Sequence, residues 1–229
     1  QAHTEGHQGN TRWILAGRST YIKQVLDLFY SLGWTNFRLD YQFTDVQGVI
    51  RHSFDEDRSI TLSFYTGKDR LNFDPLSVDW GNTVVPLNFR WRLTENWGYG
   101  ATFAYSRFSQ NFGLRDLFTV GNFINTWALK QFLVYRAIEN HEITIGLDHE
   151  YNTVDFFPAF NISFTDRSKP WLHAFYAQDN WIQFPWEIQS GIRLNYQNLS
   201  EHIGLEPRFS ASRKFPFDQT ISFHAGYYY

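Results

Sequence analysis

The chain has 229 residues, of which 20% are aromatic and 43% hydrophobic, yet its mean hydropathy is polar at -0.42. Its 20 basic and 23 acidic residues give a net charge of -3, which does not indicate a nucleic-acid partner or a strongly acidic one. The absence of cysteine excludes disulfides, thiolate metal sites and a cysteine nucleophile, and the sequence has no window of about 18 apolar residues that could form a membrane-spanning helix.

The first ten residues, QAHTEGHQGN, have no apolar pattern and are predicted to form a flexible N-terminal segment. They also lack the basic and apolar regions of a secretion signal, as expected of a mature chain or of a fragment. His3 and His7 could hold a metal ion, but solvated histidines are the favoured interpretation on a flexible terminus. No metal site is therefore predicted.

From residue 11 to residue 229 the chain is a series of segments in which apolar and polar residues alternate. Ile60–Tyr65 alternates strictly, and the pattern recurs at 85–92, 99–106 and 187–196. Because successive side chains of a strand point to opposite faces, each segment has one apolar face and one polar face. The predicted antiparallel strands are 11–22, 36–54, 58–71, 82–93, 96–110, 122–138, 142–154, 170–184, 186–197, 203–215 and 218–229.

The second predicted strand contains a break in this alternation. Phe37–Phe43 keeps one phase, whereas the apolar residues of Val46–Ile50 do not follow it. A β-bulge is predicted at this point, since one extra residue shifts the side chains of a strand to the other face.

Strand length decides between two kinds of β protein. A soluble sandwich or lipocalin-like barrel has strands of about 5–6 residues and keeps its aromatic face inside. A transmembrane barrel needs about 9–11 tilted residues per crossing, an apolar exterior and a polar lumen. The long segments favour an all-β, antiparallel transmembrane β-barrel, with about 10–12 strands in this chain.

The connections between the predicted strands alternate in length, as they do at the two rims of a bacterial outer-membrane barrel. The predicted short turns are 55–58, 93–97, 138–142, 184–186 and 215–218. The predicted longer links are 22–36, 71–82, 109–123, 153–170 and 197–203. The predicted arrangement implies that the chain lies in a lipid bilayer.

The alternation also predicts the orientation of individual side chains. The residues predicted to contact lipid are Ile60, Leu62, Phe64, Leu87, Phe89, Phe103, Ile192, Leu194 and Phe223. The residues predicted to face inwards are Thr61, Ser63, Asn88, Arg90, Thr102, Arg193, Arg208 and His224.

Four arginines on polar faces, Arg90, Arg92, Arg193 and Arg208, are predicted to line the lumen. We expect them to pair with carboxylates such as Glu187 and Glu206, and a ligand-binding role is the second interpretation. His149 lies between Asp148 and Glu150 in the chain and so points to the opposite face. Side chains of one strand arranged in this way cannot form a catalytic cluster alone.

Aromatic side chains are concentrated in two predicted links at the outer rim. They could hold a ligand by stacking and burial, or they could pack against one another and cap the barrel. The candidate ligand-binding residues are Phe112, Arg115, Phe118, Phe156, Phe157 and Phe160. No glycine-rich phosphate loop and no serine-histidine-aspartate spacing are found, so neither an enzyme nor a cofactor is predicted.

Several segments resemble successive barrel strands of TonB-dependent outer-membrane transporters. The most recognisable are YAQDNW (Tyr176–Trp181) and LEPR (Leu205–Arg208), supported by the soft patterns at 17–26, 60–74 and 79–108. The resemblance implies a bacterial outer-membrane location and the import of a scarce ligand such as a siderophore, a vitamin or an oligosaccharide. It also implies a 22-stranded barrel of which this chain is an internal portion, a plug domain and the TonB energy-coupling protein as a partner.

Two other hypotheses remain open from the sequence. An engineered or minimal β-barrel pore without a plug is compatible with the absence of methionine and cysteine and of the family's plug and coupling segments. An outer-membrane hydrolase would need a histidine and carboxylates close together at the outer rim, which the predicted strand phases do not provide.

Overall fold

The structure is a computed structural model that describes residues 1–36, 40–114, 117–157 and 166–227. Within these ranges it contains thirteen β-strands and one α-helix. The strands are β1 (Ala2–Gln8), β2 (Thr11–Ser19), β3 (Asp40–Ser53), β4 (Arg58–Phe73), β5 (Leu76–Arg92), β6 (Trp97–Leu114), β7 (Phe118–Tyr135), β8 (His141–Phe157), β9 (Asp166–Ser168), β10 (Trp171–Gln183), β11 (Trp186–Gln197), β12 (His202–Lys214) and β13 (Thr220–Gly226), and the helix α1 is Ile22–Ser31.

The strands form one antiparallel sheet whose spatial order follows the chain from β1 to β13, with the short β9 paired only with β8. Among the described strands no pairing joins β1 to β13, so the sheet is open. The prediction of an all-β antiparallel sheet is confirmed. The structure adds two strands to the eleven predicted ones, β1 at the beginning and β9 in the link after β8.

The first strand lies in the segment that was predicted to be a flexible terminus. Ala2–Gln8 pairs with β2 from Ala2–Gly17 to Gln8–Thr11, and Gly9 has a φ of 54° in the connecting turn. The sequence of β1 has no apolar alternation, and the strand is placed by its backbone pairing with β2 and by the Trp13 ring that covers Gly6. The sequence pattern therefore could not reveal it.

The only described helix occupies the predicted link at 22–36. An ion pair between Lys23 and Asp27, at 2.5 Å, joins successive turns of α1. Among the residues that the structure describes, no helix is long and apolar enough to span a membrane.

Two of the predicted long links are mostly strand. Between β4 and β5 only Asp74 and Pro75 remain outside the strands, and β6 and β7 extend to Leu114 and from Phe118. We call the rim that carries the tight turns after β1, β3, β5, β7 and β10 the turn end of the sheet, and the opposite rim the loop end. The predicted links at 71–82 and 109–123 were wrong, because the strands continue further towards the loop end than a single membrane crossing requires.

Residues that pair across neighbouring strands share a face of the sheet. We call one face the outward face; it is defined by the row that crosses ten strands: Trp13, Ile50, Leu62, Leu87, Phe103, Leu129, His149, His173, Tyr196 and Ile203. The opposite face, the inward face, carries Thr61, Asn88 and Thr102 in one row. This division agrees with the orientation predicted from the alternation.

Burial distinguishes the two faces as well. Eight described residues other than glycine are buried, and seven of them lie on the inward face. These seven are Asp45, Ser59, Val134, Thr144, Asp148, Ala174 and Glu206, and the eighth, Asp155, lies on the outward face. Side chains crowd together on the concave side of a curved sheet and spread apart on its convex side. The inward face is therefore the concave one.

The polarity of the outward face changes along the strands. One row of paired residues, the boundary row, contains Thr66, Thr83, Arg107, Asn125 and Thr153 on β4 to β8, and it continues on β3 at Val46. Towards the turn end the outward face is mainly apolar. Towards the loop end it carries polar residues such as Lys68, Arg70 and Asp79, while the inward face there becomes aromatic.

This inversion explains the break in alternation within β3. Its pairing with β4 keeps one register from Asp40–Asn72 to Ser53–Ser59, so the predicted bulge is wrong. Tyr41 and Phe43 lie on the inward face beyond the boundary row, whereas Val46 and Ile50 lie on the outward face. Val49 lies on the inward face, so the apolar residues of β3 occupy both faces while its backbone remains regular.

Candidate functional site

The inward face of β8, β11 and β12 carries a continuous polar network. Nη1 of Arg193 donates a hydrogen bond to Oδ2 of Asp148 at 2.7 Å, and its Nε donates to Oδ1 of Asn195 at 2.7 Å. Asn195 donates in turn to Oε1 of Glu206 at 2.6 Å, and Nη2 of Arg208 donates to Oε2 of the same carboxylate at 2.5 Å. The network joins two arginines and two carboxylates, and the charges balance.

The strand geometry creates this network because residues two apart share a face. Arg193 and Asn195 are neighbours on β11, and Glu206 and Arg208 are neighbours on β12, with Arg193 paired directly opposite Glu206. The carboxylates of Asp148 and Glu206 are buried, with side-chain exposures of 11% and 7%. Buried charges are stable only when they are paired and hydrogen-bonded, as these are.

Two cavities border the network on the inward face. One of about 560 Å³ is lined by residues that include Asn195, His202 and Glu206, and the other, of about 380 Å³, by residues that include Tyr176 and His224. Arg193 and Arg208 line both cavities. The guanidinium groups therefore neutralise the carboxylates and also face open space.

The inward packing beside the network depends on glycines that lie opposite aromatic rings. Tyr176 pairs with Gly146, where an added Cβ would lie 2.2 Å from the tyrosine ring, and Phe132 pairs with Gly100 at the same distance. A ring thus fills the space that a side chain would otherwise occupy. Tyr176 also lies beside Arg193, with the guanidinium carbon 5.8 Å from the ring centre.

The structure places all four predicted lumen arginines on the inward face, but it brings only two together. Arg208 pairs with Glu206 as expected, whereas Arg193 pairs with Asp148. Glu187, the other expected carboxylate, lies 3.5 Å from the side-chain amide of Asn180. The other two lie near the turn end. Arg92 contacts Asp57, and Arg90 has no side-chain partner among the described residues.

The tight turn after β3 carries a further ion pair, which Arg58 forms with Asp55 at the turn end of the sheet. Arg58 donates from Nε to Oδ2 of Asp55 at 2.7 Å, and its backbone N–H donates to Oδ1 at 2.7 Å. The hydrogen bond from the Arg58 side chain is the main cause that holds the pKa of the Asp55 carboxyl below its ordinary value. This turn caps the turn end near Arg92.

The candidate ligand-binding aromatics are divided between the two faces. Phe112 and Phe118 lie on the inward face of the β6–β7 hairpin with ring centres 5.9 Å apart, and Phe156 lies on the inward face of β8. Phe157 is on the outward face, where it meets Phe123 edge to face at 5.6 Å. Phe157 therefore does not share a face with Phe156, because adjacent residues of a strand point in opposite directions.

Two of the predicted ligand residues, Arg115 and Phe160, lie outside the described residues. Sequence reasoning missed Trp80, which lies on the inward face of β5 two residues from Val78, the partner of Phe112. The signal was available, since Leu76, Val78 and Trp80 alternate, but the segment was interpreted as a link. The inward face beyond the boundary row is therefore an aromatic wall formed by Trp80, Phe112, Phe118 and Phe156.

One contact between a histidine and a carboxylate was not predicted from the sequence. Nδ1 of His141 lies 2.8 Å from Oδ2 of Asp179, on the outward face at the turn end. The described residues contain no group of three or more metal-binding side chains.

Comparison with known proteins identifies the architecture. No protein-family model and no curated protein matches the sequence. Among solved structures, the alcaligin outer-membrane receptor FauA of Bordetella pertussis matches 93% of this chain and 37% of its own, with a TM-score of 0.71 and 14% identity. The sheet has the fold of part of a TonB-dependent receptor barrel.

Two further solved structures agree with this assignment of the fold. The FrpB iron transporter of Neisseria meningitidis matches 98% of this chain and 42% of its own, with a TM-score of 0.70 and 10% identity. The siderophore receptor PirA of Pseudomonas aeruginosa matches 98% and 37%, with a TM-score of 0.65 and 12% identity. The chain thus spans about two fifths of the length of the barrel proteins that it resembles.

Proposed function

We propose that the chain forms part of the barrel of a bacterial outer-membrane receptor that imports a scarce ligand with energy supplied through TonB. The observation that carries the proposal is the boundary row, beyond which the outward face becomes polar and the inward face becomes aromatic. This is the arrangement of a barrel that rises above the bilayer and presents an apolar wall to the interior of its mouth. In this orientation the loop end is the outer rim and the turn end is the periplasmic rim.

The two parts of the inward face have different roles in the proposal. The aromatic wall, with Trp80 and Phe112 at its centre, takes up the ligand by stacking at the mouth. The network around Arg193 and Glu206 lies deeper and provides a polar surface against which a plug domain rests. Further strands of the same protein or of a second copy cover the edges at β1 and β13, because an open edge leaves backbone groups unpaired in lipid.

The open sheet does not favour the alternative of a minimal pore made by this chain alone, because closure would require β1 to pair with β13. The hydrolase hypothesis is not favoured either. It requires a histidine and a carboxylate at the outer rim, and the His141–Asp179 pair lies at the other end of the strands.

Ligand titration of the purified full-length protein tests the proposal. The probes are ferric alcaligin, ferric enterobactin, ferric citrate, cobalamin and a maltooligosaccharide, and binding is followed by tryptophan fluorescence. We expect one probe class to bind, and Phe112→Ala to weaken it by about fivefold or more, since a stacked aromatic ring contributes about 1 kcal/mol beyond its burial.

Phe157→Ala is the matched control, because Phe157 is at the same height but on the outward face. It should leave the affinity within about twofold, as expected for a contact outside the binding surface. Binding of no probe, or equal losses for the two phenylalanine variants, would contradict the proposed ligand wall.

A further inference from the structure

Two histidines interrupt the apolar row of the outward face. In the row that crosses ten strands, eight residues are apolar or aromatic, and the two basic ones are His149 of β8 and His173 of β10. Their neighbours in the row are Leu129 and Tyr196. Ionisable side chains are costly at a lipid-facing position and are a sign of function there.

The two imidazoles contact each other directly. The Nδ1 atoms of His149 and His173 are 2.5 Å apart, so one ring donates its Nδ1–H to the other, and the ring centres are 4.7 Å apart. The pair can hold one proton between the Nδ1 atoms and one on each Nε2, and in that form it has one positive charge and two free N–H donors. These donors suit an anionic oxygen group.

The pair lies at the depth where lipid headgroups meet the acyl chains. Tyr151 and Trp171 come two residues further towards the loop end on the same face, and they pair with each other. Aromatic side chains of this kind mark the membrane interface. Trp127 of β7 pairs with Tyr151 in the same row, two residues from Asn125 of the boundary row, and completes the local aromatic girdle.

An apolar groove leads away from the histidines. It has a volume of about 360 Å³ and is lined mainly by aromatic and aliphatic side chains, which include Phe103, Trp127 and Leu129. The imidazoles form part of its wall. A ligand that fills this groove therefore needs an apolar chain and a polar group beside it.

A third histidine on the same two strands shows what distinguishes this pair. His141 of β8 also faces outward, but its ring has a carboxylate partner, Asp179 of β10. No carboxylate contacts His149 or His173 among the described residues. Glu150, the next residue in the chain, accepts a hydrogen bond from Asn152 on the inward face. Within the described part of the chain, the His149–His173 pair thus has no carboxylate that would compensate a positive charge before a ligand does.

We propose that His149 and His173 bind the phosphate headgroup of a membrane lipid whose acyl chain occupies the groove lined by Phe103, Trp127 and Leu129. The phosphate oxygens accept the two Nε2–H donors, and the negative charge compensates the shared proton. The site requires only that the outward face contacts a bilayer, so it is independent of the transported ligand and of TonB.

Native mass spectrometry of the full-length protein in detergent tests the site. The probe is dioleoyl phosphatidic acid, and dioleoylglycerol, which has the same chains without phosphate, is the control lipid. We expect H149Q combined with H173Q to reduce retention of phosphatidic acid by about fivefold or more, the loss expected for charge-assisted hydrogen bonds. H141Q is the matched variant, and it should retain the lipid as the unmodified protein does.

A second measurement does not depend on any variant. In imidazole nitrogen NMR spectra of the unmodified protein, phosphatidic acid should shift the resonances of His149 and His173 and leave those of His141 in place. Excess inorganic phosphate should not displace the lipid, because it cannot fill the groove.

Three results would overturn the proposal. The first is equal retention of phosphatidic acid by the unmodified protein and the double variant, with no shift at His149 or His173. The second is equal retention of dioleoylglycerol and phosphatidic acid, which would show that the groove alone binds. The third is complete displacement by inorganic phosphate, which would make free phosphate the ligand.

Discussion

The contact between Asp148 and Arg193 should be the most stabilising ion pair that the structure describes. Oδ2 of Asp148 and Nη1 of Arg193 are 2.7 Å apart, and the two side chains are 11% and 20% exposed. Asp148→Asn keeps the shape of the side chain and removes its charge. Arg193 then retains its hydrogen bond to Asn195 but loses its carboxylate.

The expected magnitude follows from this geometry. Removing one partner of a fully buried pair costs about 3–5 kcal/mol. Because Arg193 is partly exposed and keeps one acceptor, we expect Asp148→Asn to lower the free energy of unfolding by about 2 kcal/mol. Asp79→Asn breaks the Arg70–Asp79 pair, whose side chains are 47% and 29% exposed, and should cost at most about 1 kcal/mol.

The assay is urea unfolding in detergent micelles followed by tryptophan fluorescence, with Arg193→Gln and the double variant completing a thermodynamic cycle. The account predicts a coupling energy between Asp148 and Arg193 of at least about 1 kcal/mol. A coupling energy no larger than that between Arg70 and Asp79 would show that burial on the inward face does not strengthen the pair, and would refute the reasoning.

Two further predictions concern packing and charge. Gly146→Ala should lower the free energy of unfolding by about 1–3 kcal/mol, because the new methyl group would collide with the Tyr176 ring. The double variant with Tyr176→Ala should recover part of this loss, and no recovery would contradict the collision. Arg58→Gln should raise the pKa of the Asp55 carboxyl, as measured by carboxyl NMR. Because the pKa of the Asp55 carboxyl is lower in the folded protein, its contact with Arg58 stabilises the turn at pH values above the ordinary pKa of the carboxyl. This stabilisation is lost as the pH falls through the folded-state pKa. An unchanged titration of Asp55 in Arg58→Gln would contradict Arg58 as the cause of the lowered pKa.

The fold is best predicted from the sequence where each face of the sheet keeps one polarity along the strands. Between the tight turns and the boundary row, a mainly apolar outward face and a polar inward face give the sequence a two-residue period. The faces of Ile60, Leu62, Asn88 and Arg193 were predicted correctly for this reason. Beyond the boundary row the polarity of the two faces is reversed and the period changes phase, which is why the pattern of 71–82 predicts a link although the segment is mostly strand.

The candidate site was only partly accessible for a related reason. The spacing of two residues places Glu206 beside Arg208, and this contact was predicted. The contact between Arg193 and Asp148 was not predicted, because the two residues are far apart in the chain and only the register of the sheet brings them together. The same applies to His149 and His173, whose contact depends on the pairing of β8 with β10.

The inversion at the boundary row is tested most directly by spin labels attached singly to each residue from 119 to 135 of β7 in lipid bilayers. The account predicts that labels at outward positions from Trp127 to Tyr135 are accessible to oxygen dissolved in the lipid. Those at Thr119 and Asn125 should instead be accessible to a water-soluble nickel reagent. Lipid accessibility at every second residue throughout 119–135, without this change at Asn125, would contradict the proposed boundary between membrane and mouth.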